Sequence, residues 1–120
     1  MNPIDIQSQL QALTNLDINE QTTSEEAGAA MQILSRFNQC IVGLVHFSGM
    51  TPWERHPDEE LLQIQEGTVS VTVLESDAVR EVTLQSGSMF VVPAGLWHKQ
   101  FSQDGVKLLF ITSETGNEES

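Results

Sequence analysis

The sequence predicts an all-β domain, a closed jelly roll or double-stranded β-helix barrel with one short helix ahead of it. Three observations carry this expectation. From about residue 30 the apolar pattern changes from helical spacing to a period of two. The alternating runs are short and are separated by Gly, Pro, Asp and Ser. The chain has 120 residues, 39% hydrophobic and 18% charged, which suits one globular domain with one core. A small all-β domain must close its sheet or cover the edges, and a jelly roll does so within about 100 residues.

The elements follow in order. Ile6, Leu10 and Leu13 fall at i, i+4 and i+7, and Pro3 suits a first helical turn. This spacing predicts a short amphipathic helix packed on the outside of the barrel. Residues 19–28 are polar and read as a loop, so 1–28 is expected to be helix and polar loop. The barrel is expected over 29–113. Met31, Ile33, Ser35 and Phe37 alternate with Gln32, Leu34 and Arg36, and Asn38-Gln39 turns the chain into Ile41–Phe47. Further alternating runs hold Val69, Val71 and Val73, then Val82 and Leu84, then Val106, Leu108 and Phe110. Residues 114–120 are polar and acidic and are expected to form a flexible acidic tail.

Charge narrows the function classes. Seventeen acidic residues stand against five basic ones, for a formal net charge of −12. Such a chain repels phosphate backbones and anionic headgroups, so neither nucleic acid nor a membrane surface is an expected partner. No apolar run has the length of a membrane span, and the N-terminus lacks a basic stretch followed by an apolar one. The expected compartment is the cytoplasm. Cys40, the single cysteine, reads as a small, partly buried hydrophobe.

Two segments carry the candidate chemistry. The first runs from Gly49 to Gly67 and holds Glu54, His56 and Glu60; the second runs from Gly87 to His98. Glu54 and His56 are two apart, so on a strand they share a face. Pro57-Asp58 breaks that strand and Glu60 opens the next, with Leu62 and Ile64 on its face and Gly67 closing it in a tight turn. Pro93-Ala-Gly95 is a turn, and His98 follows at the first inward position of the next strand. Two imidazoles and two carboxylates can therefore converge, a donor set suited to Fe, Mn, Ni, Co or Zn. Glu59 is the alternative carboxylate if the strand starts one residue earlier.

These segments resemble the two boxes that define the cupin superfamily, G-x5-H-x-H-x3,4-E-x6-G and G-x5-P-x-G-x2-H-x3-N. Gly49, His56, Glu60 and Gly67 match the first box, with Glu54 in place of its first histidine and one residue fewer before it. Gly87, Pro93, Gly95 and His98 match the second with every spacing kept, and Ser102 stands in place of its asparagine. The resemblance spans roughly residues 40–112 and extends to small single-domain bacterial cupins of unassigned activity. It implies a cupin jelly-roll barrel holding one divalent metal on His56, Glu60 and His98, with Glu54 as a substituted ligand. The other reading of Glu54 is a salt bridge to Arg55 or Lys99, which leaves three ligands.

Two functional readings stand side by side. One is a metal-dependent enzyme acting on a small molecule, with Gln63, Gln65, Gln100 and Ser102 as polar candidates for orienting it. The other is a non-enzymatic ligand-binding or sensor module, with or without metal. A purely structural barrel is a third. His46 reads as structural. Trp97 and Phe101 have the parity opposite to His98 and are expected outside the barrel, where exposed aromatics suggest a homodimer interface. Trp53 has that same parity relation to Glu54 and reads as packing.

Overall fold

The computed structural model describes residues 2–114 and the backbone of Glu118 and Glu119. Nine strands and two short helices are formed among them. They are α1 (Ile6–Gln11), β1 (Leu16–Ile18), α2 (Ser24–Ala29), β2 (Gln32–Phe37), β3 (Cys40–Met50), β4 (Glu54–Arg55), β5 (Glu60–Glu75), β6 (Ala78–Gln85), β7 (Met89–Val92), β8 (His98–Ser113) and β9 (Glu118–Glu119).

β8 organises the sheet. It pairs antiparallel with β3 on one edge and with β5 on the other, from Leu61↔Ile111 to Val73↔His98. The free edge of β5 takes β7 beside Glu60–Gln63 and β6 beside Thr68–Glu75. β2 and β1 lie in tandem along β3, β2 antiparallel at its start and β1 parallel at its end. This is the expected all-β jelly roll.

Two long strands replace what the punctuation suggested. Gly67 does not end its strand: β5 continues through it for 16 residues, and β8 runs as far through Gly105. Register shifts fall at Ile64/Glu66 and Gly67/Ser70, so the strands bend where a turn was expected. Gly67 has φ +85°, and a Cβ there would lie 2.3 Å from the Gly105 carbonyl oxygen. The two glycines let both backbones bend together at one level.

Val45, Phe47, Leu62, Ile64, Val69, Val71, Val73, Val106, Leu108 and Phe110 fill the barrel from alternate positions along β3, β5 and β8, with the parity of β5 changing between Ile64 and Val69. Leu10 of α1 is fully buried yet is no member of this cluster, which sets the helix against the outside of the barrel. The turn at Asn38-Gln39 is the one expected, with positive φ at both residues as a type I′ hairpin requires.

The N-terminal segment departs from its sequence reading. Pro3 precedes α1, whose N-cap is Asp5. Residues 19–28 are no plain loop, because α2 starts at Ser24. Thr23 caps it through a capping box: Thr23 Oγ1 accepts from the Glu26 amide at 3.1 Å, and Glu26 Oε1 accepts from the Thr23 amide at 3.0 Å. The Thr23 amide and hydroxyl, both donating to Glu26 Oε1, hold the Glu26 carboxyl below its usual range. At the other end, of the residues expected as a tail, Glu118–Glu119 form a two-residue strand on β4; residues 115–117 and 120 lie outside the described residues.

Candidate metal centre

The first segment leaves β3 at Met50, crosses to β4, and reaches His56 just beyond it. A break at Pro57-Asp58 then lets Glu60 open β5, as its spacing predicted. The second segment delivers His98 as the first residue of β8, directly opposite Glu54 of β4 and Val73 of β5. The Pro93-Ala-Gly95 turn ties the two segments together, because the Gly95 amide donates to the His56 carbonyl oxygen at 2.8 Å.

His56, Glu60 and His98 meet at one end of the barrel, and their donor atoms lie within 4.8 Å of one another. Glu60 Oε1 stands 3.5 Å from His56 Nε2 and 3.9 Å from His98 Nε2. The rings lie 4.8 Å apart at 51°. Both histidines are buried, His98 almost completely.

The His98 ring is fixed from behind. Its Nδ1 faces the Leu96 carbonyl oxygen at 3.3 Å, which calls for the proton on Nδ1. Nε2 is then a bare lone pair, buried and without a hydrogen-bond partner. Burial pushes the His98 pKa below the ordinary imidazole value; Glu60 and the Leu96 carbonyl pull it part of the way back, and His56 opposes them. The ring is therefore neutral, which is the form that ligates a metal.

These residues fit a metal. Two donors 2.1 Å from one ion at a tetrahedral angle are about 3.4 Å apart. The two His–Glu separations are close to that. An orphaned buried nitrogen facing a carboxylate and a second imidazole costs stability unless something occupies the space between them.

Glu54 lines the same cavity but stands outside this three-residue group. Glu59 is exposed, so Glu60 is the inward carboxylate. The four proposed orienting residues, Gln63, Gln65, Gln100 and Ser102, separate. Gln100 is buried, lines the cavity, and leaves its Oε1 without a partner. Gln63 alternates to the face opposite Leu62 and Ile64 and accepts a hydrogen bond from Gln65. Ser102 points inward but away from the cavity; its hydroxyl donates to the Thr68 carbonyl oxygen and accepts from the Gly105 amide, a role inside the sheet. Thr51 was not anticipated. It is buried, and its Oγ1 accepts from the Gln100 amide at 2.9 Å, which sets Gln100 at the cavity wall; nothing in its spacing signals this.

The cavity has a volume of about 440 Å³. Barrel side chains such as Val45, Phe47, Leu62 and Phe110 form most of its wall. Ile18, Ala27 and Met31 close it from the N-terminal segment, a contribution missed because β1 and α2 were not read.

Outside the barrel, His46 is half-buried with the parity opposite to Val45 and Phe47, as expected of a structural residue. Burial and Lys107 push its pKa down, against a smaller upward pull from Glu66. Trp97 is half-buried beneath Arg55 and not openly exposed; Lys99 covers Trp53 in the same way. Of the expected outward aromatics, Phe101 is the exposed one, at 39%.

Comparison with known proteins places this geometry. Residues 43–112 match the family described as the cupin domain. A search of curated proteins returns no match. A cupin-2 domain containing protein from Shewanella frigidimarina superposes with a TM-score of 0.71 at 21% identity, over 92% of this chain and 94% of that one. A protein from Neisseria meningitidis gives 0.70 at 22% identity, over 94% and 100%. Hydroquinone 1,2-dioxygenase, solved in complex with Cd2+ and 4-hydroxybenzonitrile, gives 0.62 at 18% identity, over 71% and 64%. At these identities the likeness is one of fold.

Proposed function

Because this chain belongs to the cupin domain family, we propose that it binds one divalent transition metal at the barrel mouth and acts there as a metal-dependent enzyme on a small molecule. The observation that carries the proposal is the buried, unpartnered Nε2 of His98, held in its ligating tautomer and facing Glu60 beside His56. His56, Glu60 and His98 would hold the ion, and Glu54, opposite His98 across the strand pair, is the proposed fourth donor. The bound ion would act as a Lewis acid on an oxygen or nitrogen of the substrate. The protein's own part is to keep the His98 imidazole neutral, exclude water behind an apolar wall, and present Gln100 to the bound molecule. The dioxygenase solved with Cd2+ and 4-hydroxybenzonitrile supports a metal together with a small molecule on this fold; it does not choose the reaction.

The test is metal content after purification without a metal-affinity column, repeated for His56→Ala and His98→Ala. Stoichiometric metal lost in both variants supports the site. A metal-free protein that no divalent ion reconstitutes would sink it. Glu54→Gln should weaken retention less than either histidine variant.

We propose further a homodimer in the cytoplasm, built on the face that carries Phe101. Phe101 is exposed and pairs with Met50 across the sheet. Light scattering at the single-chain mass of 13.3 kDa would refute the dimer.

A further inference from the structure

The segment between β1 and β2, residues 19–31, is bonded to itself and not to the barrel. A turn opens it: the Asn19 amide donates to Thr22 Oγ1 at 2.9 Å, and the Gln21 amide to Asn19 Oδ1 at 2.8 Å. The capping box of Thr23 and Glu26 follows. The Ala27 amide then donates to the Thr23 carbonyl oxygen at 3.0 Å, and the Ala30 and Met31 amides to those of Ala27 and Gly28 at 3.2 Å. Among the described residues no hydrogen bond or ion pair joins 19–31 to the barrel. α2 buries no side chain.

Yet this segment covers the cavity. Ala27 and Met31 line it, with Ile18 at the end of β1. A second cavity of about 390 Å³ is lined by Thr22, Ser24 and Gly28 of the segment and by Pro52. It shares Ile18, Ala27 and Met31 with the first, so these side chains stand between the two spaces. The closure is apolar and shallow: Ala27 is half-buried and Met31 is 38% exposed. An element held by a few such contacts opens at far lower cost than a paired strand. Both its ends are anchored on β3, through β1 on one side and β2 on the other. Backbone torsions at those two ends suffice to swing it away.

We propose that residues 19–31 form a lid, which moves as one unit on its two strand ends and admits the ligand from the second cavity into the first. Its local bonds keep the turn and α2 intact as it moves, and Ala27 and Met31 close it again over what has entered. The lid concerns access alone and does not rest on the metal.

A thiol placed behind the lid tests it in the full chain without metal. Val45→Cys in a Cys40→Ser background leaves a single cysteine of nearly the same volume on the cavity wall, where Val45 is 7% exposed. Leu108→Cys, on the same wall, serves if that variant misfolds. N-ethylmaleimide, an uncharged reagent, should label this thiol far more slowly than it labels the urea-unfolded chain. Below the unfolding transition the rate should not depend on urea, because lid opening exposes little surface. Met31→Ala should raise the rate by about threefold to tenfold. Gly28→Ala puts a Cβ into open space and stabilises the helix, and a lid that moves without unwinding should keep its rate within about twofold. Labelling as fast as in the unfolded chain would show an open cavity and overturn the lid. A rate that climbs with the urea slope of global unfolding, or one unmoved by Met31→Ala, would overturn it equally. Slowing by about threefold or more in Gly28→Ala would show that α2 melts and overturn the rigid swing.

Discussion

Replacing His98 by alanine separates what the metal does for this protein from what the imidazole does by itself. In the metal-free state the substitution removes a buried ring, and with it a nitrogen that has no partner. The unsatisfied nitrogen costs about 1–3 kcal/mol where it stands, and the lost packing is of similar size, so the two largely offset. The metal-free variant should lie within about 1 kcal/mol of the parent. With metal the two proteins part. Zinc at a hundred times its dissociation constant stabilises the folded state by about 2.7 kcal/mol, because the unfolded chain cannot assemble the site. A domain of 120 residues unfolds with an entropy of about 0.25 kcal/mol/K at its midpoint. The parent should therefore gain about 11 °C in Tm on zinc addition. The variant keeps two of the three close donors and should gain almost none of it. Differential scanning calorimetry of both proteins, chelator-treated and then titrated with zinc, reads this directly. A parent Tm indifferent to zinc, or a variant that keeps the full shift, would refute the assignment of His98 Nε2 as a ligand.

Acidification should destabilise the metal-free protein. His46 and His98 both have folded pKa values lowered from 6.5, chiefly by burial, so the fold favours their neutral forms. The unfolded chain takes up protons first, and the stabilisation present above pH 6.5 is lost as pH falls toward the folded values. Urea denaturation from neutrality to about pH 5.5, where ordinary carboxylates stay ionised, should show a declining free energy, shallower in His46→Asn; a flat profile would contradict it. Gly67→Ala should cost about 2 kcal/mol or more, since it adds a Cβ at φ +85° and 2.3 Å from the Gly105 oxygen; a change under about 0.5 kcal/mol in urea melts would show that the bend tolerates a side chain. Gln63→Ala should leave the zinc-induced rise in Tm unchanged in scanning calorimetry, because its side chain lies on the face opposite Leu62 and Ile64.

Much of the site was legible because its residues fall in two short segments and strand geometry is simple. A two-residue period sets the facing of Leu62 and Ile64, and the Pro-x-Gly turn puts His98 at a strand start. Other features were less legible. Gln63 was chosen for its polarity, while its parity is opposite to that of Leu62, which points inward. The capping box of α2 was present as Thr23 and Glu26 and passed for polar loop. Ser102 shares the inward parity of Gln100 but sits where β8 begins to bend, and the bend turns its hydroxyl to backbone partners on β5 and β8.

By itself the sequence determined the strand character of the chain from about residue 30 onward, the acidic balance, and the candidacy of His56, Glu60 and His98, which the structure brings close together. Each of these depends on residue type and local spacing. Tertiary structure alone decided that β5 and β8 pass through their glycines, since a bend and a turn use the same residues and differ only in which strand is paired beyond them. It decided that β1 and α2 wall the cavity, a matter of long-range pairing with β3 that three residues of strand cannot announce.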